Sequence, residues 1–233
     1  MWNADNWKWW RLVAKLDPDK TLSPAALEIL GEGGADAVIV GGTQGITYDN
    51  TSRLIGQIRD CGYTGPLVQE ISAGDAVVPG VDAHFIPVAL NAGDVRWLSG
   101  AHLEAIKRYG GLIQWDKVLV EGYLVCNGGS AVARLTGAGE ISPEDAAAYT
   151  VLAEEVYRIP VLYIEYSGRF GDMELVRAVS GARKKIHLIY GGGVKTPEQL
   201  LRVAPLVDTV VAGNIFYEDP AAARELLRTF RQG

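Results

Sequence analysis

Short, nearly unbroken apolar runs recur along the chain: Leu12–Leu16, Ala37–Val40, residues 66–71, residues 83–90, Val118–Val125, Val161–Glu165, residues 186–190 and Thr209–Ala212. Runs this short and this continuous are the pattern of strands buried on both faces of a parallel sheet. Between most of them lie stretches of helical composition or spacing, at residues 24–32, 49–60, 94–109 and 172–179, after Ser142, after Thr196 and over residues 220–231. Ser23, Ser142 and Thr196 are each followed by Pro, the combination of an N-cap side chain and a residue whose missing N–H costs nothing in the first turn. Gly33 and Gly34 close the first helix. Residues 72–82 lack helical periodicity and contain Pro79-Gly80, which predicts a loop or a short helix there and a gap in the outer layer. Residues 127–139 form a long Gly-rich connection carrying Arg134 and Thr136, of the kind that serves as a lid or binding loop. The repeated alternation predicts an α/β protein, a single (β/α)8 TIM barrel over residues 1–233 with its third helix short or replaced by a loop.

Composition agrees with one domain: 233 residues, 48% of them hydrophobic, suffice for one large core. A net charge of −6 excludes broad nucleic-acid binding, so anionic ligands have to be held by local groups. Cys61 and Cys126 offer neither a metal spacing nor a disulfide framework, and a reducing cytoplasm is the expected location. No apolar run reaches the roughly 18 residues of a membrane span, and no signal-peptide core is visible. Trp2, Trp7, Trp9 and Trp10 crowd the N-terminus, either as an interfacial membrane contact or, the preferred reading, as aromatic packing across the barrel bottom.

In such a barrel the carboxyl ends of all strands share one face, and there Lys15, Asp17, Thr43, Glu165, Tyr166, Ser167, Gly193 and Asn214 converge. Gly191-Gly192-Gly193 and Gly213-Asn214 end the last two strands, the place where barrels hold phosphate; tight turns are the structural alternative. Asp17 with the Thr43 hydroxyl suits Mg2+, which takes one or two carboxylates plus phosphate oxygens and water. His84, His102 and His187 stand apart from one another, so no catalytic triad or zinc site is predicted. Trp97, Ala101 and Ala105 recur at helical spacing beside the expected gap, where small side chains admit a long apolar ligand. These residues alone leave two chemistries open: proton shuffling on a phosphosugar, or displacement of diphosphate by a hydroxyl.

The chain resembles the geranylgeranylglyceryl and heptaprenylglyceryl phosphate synthases. Lys15-Leu-Asp17-Pro, Gly41-Gly42-Thr43, Val88-Ala-Leu-Asn91, Glu121-Gly-Tyr123, Tyr163-Ile-Glu-Tyr-Ser-Gly168, Tyr190-Gly-Gly-Gly193 and Val211-Ala-Gly-Asn214 match that family in order. The resemblance implies Mg2+-dependent prenyl transfer from a prenyl diphosphate to the primary hydroxyl (O3) of sn-glycerol 1-phosphate. It assigns glycerol 1-phosphate to Lys15, Tyr163, Ile164, Glu165, Tyr166, Ser167, Gly168, Gly193, Gly213 and Asn214, and the metal to Asp17 and Thr43, where relatives commonly carry Ser. Glu165, with Tyr163 or Tyr166, is the expected catalytic group, and Arg134 a candidate diphosphate contact. Asn127-Gly-Gly-Ser130 departs from the family's usual Asn-Pro-acidic segment. Ala105 stands where shorter-chain relatives carry a bulky aromatic, which implies a heptaprenyl rather than a geranylgeranyl chain. A homodimer and a peripheral membrane contact for the lipid are also implied; a phosphoglycerol-binding protein without turnover is the non-enzyme alternative.

Overall fold

The computed structural model describes residues 6–232, the side chain of residue 232 excepted. Eight parallel strands close into a barrel in chain order: β1 (Leu12–Leu16), β2 (Ala37–Val40), β3 (Leu67–Glu70), β4 (Ala83–Ala89), β5 (Val118–Val125), β6 (Val161–Glu165), β7 (His187–Gly191) and β8 (Thr209–Ala212). The ring closes where Val13 of β1 pairs with Val211 of β8. The helices are α1 (Pro24–Gly31), α2 (Tyr48–Asp60), α3 (Gly100–Tyr109), α4 (Ala131–Thr136), α5 (Pro143–Val151), α6 (Met173–Ala182), α7 (Pro197–Val203), α8 (Ile215–Glu218) and α9 (Pro220–Gln232). The predicted caps form: the Ser23, Ser142 and Thr196 hydroxyls accept from the backbone N–H of Ala26, Asp145 and Gln199.

Period-two alternation splits the core into two layers. Val13, Ile39, Val68, Phe85, Tyr123, Tyr163 and Val211 point into the barrel. Leu12, Val40, Leu124, Leu162, Ile164 and Val210 point out against the helices. Trp7 and Trp10 close the amino-terminal end of the barrel from below, with Trp10 stacked on Phe85 at 5.9 Å and Trp7 edge-on to His187 at 5.1 Å. Trp9 is 81% exposed, and Trp2 lies outside the described residues. Among the described residues no helix is long and apolar enough to cross a membrane.

The third crossover contains a single 3₁₀ turn, Gly74–Ala76, so the outer ring is open between α2 and α3 as the sequence predicts. Two elements differ from expectation. The helix predicted over residues 94–109 is broken: a 3₁₀ turn at Val95–Trp97 is capped by Asp94, and α3 begins only at Gly100. The connection at 127–139 holds α4, six residues long, capped by Ser130 and ended by Gly137 at φ 68°, a conformation in which a Cβ is strained.

Candidate active site

Lys15 is the fourth residue of β1 and shares the inward parity of Val13, which carries its side chain to the carboxyl end of the barrel interior. Its ammonium donates to Glu70 Oε2 at 2.7 Å and to the Tyr123 hydroxyl at 2.6 Å, and that hydroxyl donates to the same Glu70 oxygen at 3.0 Å. The ammonium also lies 4.7 Å from the centre of the Tyr163 ring, which stacks on Tyr123 at 4.6 Å. Burial alone would push the Lys15 pKa down, but Glu70 first, with Tyr163, Glu165 and Glu121, outweighs it and holds the lysine charged.

Glu165 ends β6 two residues beyond Tyr163, on the same inward side. Its Oε1 accepts the Ser167 backbone N–H at 2.6 Å. Burial raises its pKa, opposed by Lys15 and by the Ser167 hydrogen bonds, and the net shift is upward. A carboxylate raised in this way is better matched to taking a proton near neutral pH. The following turn is pinned from the side: Asn127 Nδ2 donates to the Ser167 carbonyl at 2.6 Å.

The Gly191–Gly193 turn runs directly beneath this segment. A Cβ on Gly191 would overlap the Tyr163 hydroxyl, and one on Gly193, whose φ is +51°, would strike the backbone between Arg169 and Phe170. The glycines are therefore required by packing as well as by any close approach to an anion, and Gly193 joins Gly213 and Asn214 at the cavity edge. Asp17 lies across the opening. Its position requires Gly42, where a Cβ would collide with the carboxylate, and its backbone is held by Tyr217, whose hydroxyl accepts the Asp17 N–H at 2.8 Å. Half-burial raises the Asp17 pKa and Asp19 adds to it, against the Asp19 N–H and Lys20.

These groups line one end of a cavity of about 1130 Å³. From there it continues down the outside of β4, past His84 and Ile86, between the third crossover and α3, to Leu112 and Trp115. That volume exceeds the roughly 300–1,000 Å³ usual for small-molecule pockets and suits a long ligand. Ala105 faces Gly74 across the groove: a Cβ built on Gly74 would lie 3.7 Å from that of Ala105.

Lys15, Asp17, Thr43, Tyr163, Glu165, Ser167, Gly168, Gly193, Gly213, Asn214 and Ala105 all line this cavity. Three predicted side chains do not. Ile164 and Tyr166 have the opposite parity to Tyr163 and Glu165 and pack among the helices, with Tyr166 against Tyr190. Arg134 turns back to donate to the Gly129 carbonyl at 2.7 Å, on the exposed side of α4. Sequence reasoning passed over Glu70 and Lys20. Glu70 is a charge near the carboxyl end of the apolar run at residues 66–71, the same signal that marks Lys15 and Glu165.

An anion-sized polar end joined to an apolar groove on a barrel's flank defines a protein that holds a charged head beside a long hydrocarbon chain. The chain belongs to the PcrB family, whose sequence profile matches residues 5–232. It is 46% identical over 219 residues to the heptaprenylglyceryl phosphate synthase of Brevibacillus brevis, covering 94% of each chain. It is 44% identical over 223 residues to that of Bacillus cereus, covering 95% of this chain and 96% of the relative. Among solved structures, the (S)-3-O-geranylgeranylglyceryl phosphate synthase of Thermoplasma acidophilum, in complex with sn-glycerol-1-phosphate, superposes with a TM-score of 0.82. That alignment spans 98% of this chain and 94% of the other at 23% identity, and establishes the shared fold.

Proposed function

We propose that the protein is a prenyltransferase that moves a long prenyl group, heptaprenyl in preference to geranylgeranyl, from prenyl diphosphate to the O3 hydroxyl of sn-glycerol 1-phosphate. The observation that carries this reading is the meeting, in one cavity, of Glu165, Lys15 and the Gly193–Asn214 edge with an apolar groove. The names of the Brevibacillus and Bacillus relatives support the same reaction. In it the bond from prenyl C1 to the diphosphate oxygen breaks, a bond from C1 to O3 forms, and the O3 proton passes to Glu165. Glu70 and Tyr123 hold the Lys15 ammonium beside the glycerol moiety, and the buried Glu165 carboxylate also faces the positive charge that develops on C1.

The donor set near Asp17 fits Mg2+. A carboxylate lifted by burial, a neighbouring Asp19 and the Thr43 hydroxyl are hard oxygen groups at the cavity edge. Among the described residues no cluster of three or more His, Cys, Asp or Glu forms a closed cage, so Asp17 and Thr43 would share the ion with the diphosphate and water. Bound there, Mg2+ would stabilise negative charge on the leaving group. We also propose a homodimer, supported by exposed apolar side chains beyond α5.

The test is incubation of radiolabelled glycerol 1-phosphate with prenyl diphosphates of graded length, with and without Mg2+. The expected result is a metal-dependent ether lipid, formed faster from the C35 than the C20 donor. Failure of every donor would end the proposal. Glu165→Gln should lower kcat by roughly 100-fold or more while keeping glycerol 1-phosphate affinity.

A further inference from the structure

Four lysines line the cavity among the described residues: Lys15, Lys20, Lys117 and Lys195. Three are committed or distant. Lys15 is locked to Glu70 and Tyr123 inside the barrel. Lys195 pairs with Glu218 at 2.6 Å. Lys117 precedes β5, at the amino-terminal end of the barrel, far from the glycine turns. Lys20 is different. It follows β1 at the carboxyl-terminal pole, is exposed, and donates a single hydrogen bond, 2.9 Å to Asn214 Oδ1. The same ammonium lies 5.3 Å from the centre of the Tyr217 ring, which holds it over the β8 turn. An ammonium has three N–H donors, and this neutral amide uses one.

We propose that Lys20 is the cation that neutralises the phosphate of the hydroxyl substrate. The inference rests on the prenyl-transfer reading and adds a binding residue to it. The cup edge at Gly193, Gly213 and Asn214 presents neutral groups, and an ammonium beside it would make the phosphate's hydrogen bonds charge-assisted and stronger. Lys20 reaches that edge already. Its hydrogen bond goes to Asn214, on the cup side of the opening, although its charge is also felt at Asp17. The Asn214 amide holds the ammonium in place before ligand arrives, so little ordering is left for the binding step.

Calorimetric titration with glycerol 1-phosphate, without prenyl donor, tests this on the wild type, Lys20→Met and Lys20→Arg, followed by steady-state kinetics on both substrates. Lys20 is exposed, and equal thermal melting of the three proteins checks the fold. The expected result is that Lys20→Met weakens glycerol 1-phosphate binding at least tenfold, Lys20→Arg stays within about threefold of wild type, and KM for prenyl diphosphate moves less than twofold. Wild-type affinity in Lys20→Met overturns the assignment alone. A larger effect on prenyl diphosphate than on glycerol 1-phosphate overturns it too, by moving Lys20 to the leaving group. Absence of binding by the wild type overturns this assignment and the prenyl-transfer reading together.

Discussion

Glu121 is fully buried in the barrel interior, two residues before Tyr123, and neither of its carboxylate oxygens has a hydrogen-bond partner in the protein. Burial raises its pKa well above the ordinary value, Glu70 and Glu165 add to that, and Lys15 opposes it. The folded state therefore keeps a proton that the unfolded chain releases near 4.5. A raised carboxyl contributes stability that is complete below the unfolded pKa and lost as pH rises toward the folded one, by about 1.4 kcal/mol for each pH unit in between. Glu121→Gln keeps the shape and removes the titration. Its stability relative to wild type should rise with pH above 4.5 in urea unfolding; parallel pH profiles for the two proteins would show that Glu121 does not titrate in the fold. Glu121 was visible in the sequence as a charge inside an apolar run, but its lack of partners depends on which residues the seven other strands turn inward.

The groove owes its existence to an element that is nearly missing. Where the other crossovers carry helices, residues 71–82 make one 3₁₀ turn, and α3 presents Ala101 and Ala105 toward the space left free. An indole at position 105 would project across the groove toward Gly74 and shorten it. Ala105→Trp is expected to lower kcat/KM for the C35 donor at least tenfold and leave the C20 donor within about threefold. Equal use of both donors by the variant would remove Ala105 as the length-setting residue. Elements of this kind were legible to different degrees. The strands were clear because each is a continuous apolar run, and the missing helix was clear from Pro79-Gly80. The same continuity hid the facing of β6: with apolar or aromatic residues on both sides there is no alternation to read, so Ile164 and Tyr166 looked equivalent to Tyr163 and Glu165. α4 was hidden by Gly128-Gly129 before it and Gly137 after it, which read as loop although Ser130 caps a real helix. Lys20 stands in the charged turn after β1, but its reach to Asn214 spans 194 positions and depends on barrel closure.

Across the whole molecule, the two ends of the barrel are specialised and one flank is left apolar. The amino-terminal end is sealed by Trp7, Trp10 and the buried contact of His187 with Thr209 at 2.8 Å, while the carboxyl-terminal end holds the polar site. On the flank, α5 runs into a π-helical turn, Leu152–Val156, closed by the Tyr157 N–H to the Leu152 carbonyl at 3.0 Å. The extra residue of a π turn lets position i+5 occupy the place that i+4 has in an α-helix. Val156 is thereby brought onto the face of Val151, and both are exposed, at 65% and 46%, beside Tyr157 at 45%. Apolar side chains gathered on one face can serve as an interaction surface, and the proposed homodimer would cover this one with a second copy through a two-fold contact. Sedimentation equilibrium of the wild type should give a dimer at micromolar concentration. Val151→Lys with Val156→Lys should give a monomer with an unchanged far-ultraviolet spectrum, because placing two cations on each side of a two-fold contact sets like charges against each other. A monomeric wild type would refute the homodimer; a double variant that still dimerises would place the interface elsewhere on the barrel.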